Sequence, residues 1–205
     1  GGMPRRHGVP APGGLDRMLV LSGSAAVLNG RQLRTALDAG WCGIRVDVPA
    51  LLADDGLGLE LARLGLAMQQ ALDRGRSTVL YTASGPDDPA LAGVRALQAS
   101  RGLSAEAVSE AIGALFAGLA DRAVTACGLR RLVLAGGDTS SHAMRRLDAY
   151  ALEIAAAGRH GGRLCRLLSF RADMQGLEVM LKGGQVGNDD SFVQAASAGV
   201  WMAQP

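Results

Sequence analysis

The chain is predicted to fold as a three-layer α/β/α domain of Rossmann-like type with a mostly parallel sheet. Three observations carry that expectation. Short continuous apolar runs alternate with longer stretches of helical period through most of the 205 residues. The runs end at glycine, serine or proline, as buried strands do where they pass into turns. Hydrophobic residues make up 48% and charged residues 20% of the chain, a globular mixture that excludes disordered, collagen-like and disulfide-scaffold classes.

Taken in order, residues 1–16 are rich in glycine and proline without apolar periodicity and read as a tail or linker, leaving 17–205 as the domain. Met18 to Leu21 is the first buried strand, closed by Ser22, Gly23 and Ser24. Leu28, Leu33, Ala36 and Leu37 mark a helix that Gly40 stops. Ile44 to Val48, rich in β-branched residues and ended by Pro49, is the expected second strand. Leu57 to Leu72 is helical, with Leu61, Leu64, Met68 and Leu72 on one face. Ser77 to Thr82 is the third strand, and 84–89 a loop of turn formers. Ser104 caps the clearest helix, whose Val108, Ile112, Leu115, Phe116, Leu119 and Ala123 recur on one stripe until Gly128. Leu132 to Ala135 is the fourth strand, followed by a helix over Thr139 to Leu147. Beyond it, 150–157, 163–169 and 177–182 are strand-like or ambiguous, and a last helix is expected from about Asp190 to Ala198.

Composition narrows the function. Net charge is only +2, the arginines are scattered in pairs, and aromatics are 3%, so neither a phosphate-tracking stripe nor a base-stacking platform for nucleic acid is present. The longest strongly apolar run, Ala111 to Ala120, lies between Glu110 and Asp121 and falls short of a membrane span, so no membrane partner is expected. The N-terminus lacks an apolar secretion signal, and the expected compartment is cytoplasmic. Cys42, Cys127 and Cys165 have no Cys-x-x-Cys spacing and read as reduced core thiols; His7, His142 and His160 show no metal-ligand spacing. Trp201 and Met202 suit either an interior tryptophan or a self-association face, which leaves a homodimer open.

Three small-residue loops follow expected strands, where helix N-termini present free N–H groups to anions. The first is Ser22-Gly23-Ser24. The second is Gly136-Gly137-Asp138-Thr139-Ser140, whose glycines permit a nest of converging amides. Asp138 fits either a water on Mg²⁺ or a helix cap. The third is Lys182-Gly183-Gly184-Gln185-Val186-Gly187. Of the 21 basic residues Lys182 is the single lysine, a compact point charge suited to phosphate. The Walker A, Gly-x-Gly-x-x-Gly and Gly-x-Ser-x-Gly patterns are all missing, which argues against P-loop NTPases, ordinary dinucleotide dehydrogenases and nucleophile-elbow hydrolases.

Leu21-Ser22-Gly23-Ser24 with Gln32, Leu134-Ala135-Gly136-Gly137-Asp138-Thr139-Ser140, and Leu181 to Gly187 with Phe192 together resemble the C-terminal nucleotide-binding domain of the four-carbon acid sugar kinases, the threonate, erythronate and 3-oxo-tetronate kinases. The resemblance runs from Leu19 to Phe192. It implies ATP and Mg²⁺ as cofactors and a four-carbon acid sugar as the small-molecule substrate. By matched position it implies nucleotide contacts at Ser24, at Gly136, Gly137, Asp138 and Thr139, and at Gly183 or Gly184; the loops themselves add Ser22, Ser140 and Gly187 as candidate nucleotide-binding residues, with Lys182 a candidate phosphate contact. It further implies a preceding domain that binds the acid sugar and supplies the catalytic base, without which this chain does not complete the reaction. Ala26 and Asn29 stand where relatives often carry serine and threonine, and Gly-Gly-Gln-Val-Gly replaces the commoner Ser-Gly-Asn-Phe-Gly. The alternative is a non-catalytic α/β nucleotide-binding or protein-interaction module whose glycine loops are only tight connections.

Overall fold

The computed structural model describes residues 12–158, 162–198 and 201–203. Eight strands form one sheet: β1 (Leu19–Ser22), β2 (Cys42–Arg45), β3 (Thr78–Tyr81), β4 (Arg131–Ala135), β5 (Ala149–Gly158), β6 (Arg163–Ser169), β7 (Glu178–Lys182) and β8 (Trp201–Ala203). Their spatial order is β2-β3-β1-β4-β7-β6-β5-β8. The strands β2, β3, β1, β4 and β7 run parallel, and β6, β5 and β8 extend the sheet antiparallel. The helices are α1 (Val27–Asp38), α2 (Val48–Leu51), α3 (Gly56–Asp73), α4 (Ala90–Arg101), α5 (Ala105–Cys127), α6 (Gly137–Met144) and α7 (Ser191–Gln194).

Both faces of the parallel strands are covered, which is why they read as unbroken apolar runs. Leu19, Leu21, Leu80, Leu132 and Leu134 pack with α3 and α5 on one face. Met18, Val20, Val79, Val133 and Met180 pack with α1 and α7 on the other. Every residue of the α5 stripe is buried; the Ser104 hydroxyl accepts from the Ala107 N–H at 3.1 Å, and Gly128 closes the helix at φ +62°. No single described helix is long and apolar enough to cross a membrane.

Several elements differ from expectation. The second strand stops at Arg45 because Asp47 caps α2, accepting from the Ala50 N–H at 3.0 Å, and Pro49 sits in the first helical turn. There the cap and proline outweigh the β-branched run. Helix α4 was not expected: Gly93 interrupts its pattern, and it buries no residue fully. The expected 139–147 helix starts earlier, at Gly137, and ends at Met144. The final helix, expected from Asp190 to Ala198, is a single turn, Ser191–Gln194. All three cysteines are free, but only Cys127 is buried. Trp201 is interior, 6% exposed and beneath the Arg131 guanidinium, while Met202 is exposed.

Residues 1–11 of the expected tail lie outside the described residues, and its remainder is docked on the domain. The Leu15 N–H donates to the Ala196 carbonyl at 2.9 Å, and Arg131 Nη2 donates to the Gly13 carbonyl at 2.9 Å. Arg131, fully buried at the start of β4, also pairs with Glu178 at 2.7 Å and donates to the Ala195 carbonyl. A buried guanidinium needs that full set of partners.

Candidate functional site

The strand order decides the site. Strands β1, β4 and β7 are consecutive neighbours, so the loops leaving their carboxyl ends stand in a row. The ladder runs on into those loops: the Gly23 N–H donates to the Ala135 carbonyl at 2.8 Å and the Gly136 N–H to the Lys182 carbonyl at 3.0 Å. The β1 loop feeds α1 on one face and the β4 loop feeds α6 on the other. That divergence marks the switch point of the sheet, where open α/β sheets usually bind their ligands.

Within the row, the loops touch through missing side chains. A Cβ on Gly23 would lie 2.8 Å from Thr139 Cβ, and one on Gly136 would lie 2.7 Å from Thr139 Oγ1 and 3.5 Å from Ser24 N. A Cβ on Gly184 would overlap Ser24 Oγ and come within 2.8 Å of Ala26 Cβ. Gly136, at φ +127°, also holds a backbone conformation that L side chains rarely adopt. Around Gly137 the space is open, and Asp138 beside it is exposed on the first turn of α6.

Thr139 and Ser140, 5% and 6% exposed, have hydroxyls with no hydrogen-bond partner among the described residues. Orphaned buried hydroxyls are costly, and these two lie at a helix N-terminus, where free N–H groups favour an anion. Asn29, buried on α1, holds the first loop by donating from Nδ2 to Ser22 Oγ at 2.8 Å and to the Ser24 carbonyl at 3.1 Å.

Lys182 lies beneath the third loop and is 4% exposed. Its Nζ donates to Gln32 Oε1 at 2.6 Å and sits 5.2 Å from the Phe192 ring centre. No carboxylate neutralises it among the described residues, and burial holds its pKa down at about 8. From its other end, Gln32 Nε2 donates to the Val186 and Asn188 carbonyls at 3.0 and 2.8 Å. One amide therefore joins the lysine to the backbone of the third loop. Arg31 pairs with Asp189 at 2.8 Å from the same helix.

The structure thus brings Ser22, Ser24, Gly136, Thr139 and Gly184 together, with Gly137, Asp138, Ser140 and Gly183 on the same loops and Gly187 at the far side of the third. Gly187 lies against Gln32, where a Cβ would be 3.4 Å from Nε2. Sequence reasoning assigned no role to Asn29 or Gln32 as tethers. Their spacing of three along α1 puts both on its inner face, which was the available signal. Among the described residues no group of three His, Cys, Asp or Glu side chains could hold a metal.

A family model for a nucleotide-binding C-terminal domain matches residues 19–192. The 3-oxo-isoapionate kinase of Paraburkholderia graminis is 32% identical over 190 residues, covering 93% of this chain and 40% of the relative. The 3-oxo-tetronate kinase of Pectobacterium atrosepticum is 30% identical over 178 residues, covering 86% and 39%. The chain thus spans about 40% of the length of the curated relatives it matches. Among solved structures, a domain of unknown function from Bordetella bronchiseptica, a domain-swapped dimer with bound citrate, superposes with a TM-score of 0.66 at 24% identity, over 89% of this chain and 40% of that one. That likeness is one of fold. On the extent of the family match, this chain belongs to the family of nucleotide-binding C-terminal domains.

Proposed function

We propose that this chain is the ATP-holding domain of a kinase for a four-carbon acid sugar of the tetronate, threonate or 3-oxo-tetronate type. The single observation that carries the reading is the meeting of three loops at the ends of β1, β4 and β7 around the orphaned hydroxyls of Thr139 and Ser140. The names of the similar kinases support a sugar-acid acceptor. The acceptor, its general base and any homodimer contacts belong to the whole protein and are part of the proposal.

In this reading the α6 amides from Gly137 onward and the hydroxyls of Thr139 and Ser140 bind the phosphates. Ser24, Gly183 and Gly184 close over them, and Ser22 is held by Asn29 as part of the wall. Phosphoryl transfer demands positioning and charge neutralisation more than covalent help from the protein. Lys182 contributes an uncompensated positive charge from below and, through Gln32, fixes the third loop that carries Gly187. Asp138 would hold Mg²⁺ through water, and the ion would supply charge neutralisation for the transferred group.

The test is thermal melting with and without Mg-ATP, followed by phosphoryl transfer to four-carbon sugar acids with the full-length protein. A ligand at 100 times its Kd stabilises the native state by about 2.7 kcal/mol, a readable shift. An unchanged melt at millimolar Mg-ATP overturns the reading.

A further inference from the structure

A cleft of about 590 Å³ opens at the carboxyl ends of β2 and β3, between α2 and α4. Val46, Val48 and Val94 supply apolar walls, Thr82 lies at its inner end, and Arg45 and Arg63 line it. It is continuous with the row of loops: the Thr82 N–H donates to the Ser22 carbonyl at 3.0 Å, so its inner end lies one strand away from the first loop. Neighbouring strands are about 4.8 Å apart, which puts the end of β2 roughly 10 Å from that loop, within reach of a ribose joined to its phosphates.

Charge decides what the cleft suits. Arg45 pairs with Asp88 at 2.9 Å, and Arg63 pairs with Glu60 through two bonds of 2.7 Å. Each guanidinium is thus paired with a carboxylate of its own, and Arg45 also lies 5.0 Å from the Tyr81 ring centre. With their charge offset, the two planar guanidinium groups that line the cleft suit a heteroaromatic ring, as Arg45 already does against Tyr81. Sites with apolar walls and a few fixed polar groups suit such a ring better than a polyhydroxylated acid. Gly93 adds a second indication. It lines the cleft from mid-helix, where glycine is unfavourable, and a Cβ there meets nothing within 4 Å.

We infer that this cleft holds the nucleobase of the nucleotide whose phosphates occupy the three loops, an inference that rests on the nucleotide reading above. Binding of ATP and of inorganic tripolyphosphate to this chain, wild type and G93F, tests it. The expected result is that G93F weakens ATP at least tenfold and leaves tripolyphosphate unchanged, while G93A binds both as wild type does. Should G93F be unstable, A90L narrows the same cleft from the first turn of α4 and is expected to give the same split. Wild-type ATP affinity in a folded G93F or A90L protein overturns the base site and leaves the phosphate site standing. Failure of the wild-type chain to bind either ligand overturns both readings.

Discussion

Lys182 Nζ, at the end of β7, donates to Gln32 Oε1 on α1 at 2.6 Å, across 150 residues of chain. Gln32 in turn donates to two carbonyls of the loop that follows the lysine. Replacing Gln32 with leucine removes all three bonds and leaves a buried ammonium without an acceptor. A loss of about 2–4 kcal/mol is expected, read as a shift in the urea midpoint. Nucleotide affinity is expected to fall about tenfold as the third loop loosens, read by calorimetry at a temperature where Q32L remains folded.

Thr139 gives the opposite sign on stability. Its hydroxyl is buried without a partner, so T139V replaces an unsatisfied group by an apolar one of similar shape and is expected to be neutral or slightly stabilising without ligand. The Mg-ATP-induced rise in Tm is expected to shrink. A T139V protein with the wild-type ligand shift would remove Thr139 from the phosphate site.

Lys182 also sets a pH dependence. Its folded pKa, about 8, lies below the ordinary 10.5, so between these values the unfolded chain holds the proton and the native chain does not. Stability therefore rises with pH through that window, and burial of the ammonium is costly below it. The displacement sets an upper limit of about 3 kcal/mol. Urea titrations from pH 7 to 10.5 are expected to show wild type gaining on K182M. The comparison cancels the thiols of Cys127 and Cys165, whose pKa values, raised by partial or full burial, act in the reverse direction.

Asp88 controls the loop between the proposed base cleft and α1. Burial pushes its carboxyl up, but the Ser84 N–H and hydroxyl, the Ala90 N–H and Arg45 together hold it well below the usual range. Its stabilisation is thus complete above the ordinary pKa near 4 and fades as pH falls below it. D88N is expected to destabilise by about 1–3 kcal/mol at pH 6, with the difference from wild type closing toward pH 3 in denaturant titrations.

Gly184 tests the contact between the first and third loops. A methyl there meets Ser24 Oγ and Ala26 Cβ, so G184A is expected to push the loops apart. A fall in Mg-ATP affinity of about tenfold with a modest change in Tm is the expected outcome of paired melting and binding measurements.

Sequence alone determined what nearby residues determine. The alternation of strand and helix, the Ser104 cap, the Gly128 stop and the three glycine loops were legible because period, capping and turn chemistry act over a few residues. The order of the blocks at 21–24, 134–140 and 181–187 also pointed to the family that residues 19–192 match. Only the tertiary structure decided that β1, β4 and β7 are neighbours, that β5, β6 and β8 extend the sheet antiparallel, and that Lys182 turns inward to Gln32 instead of standing at the loop surface. The cleft beside α4 likewise depends on two carboxylates, Asp88 and Glu60, meeting two arginines. Those outcomes arise from packing between segments far apart in the chain, where burial and charge pairing, not local propensity, select one arrangement.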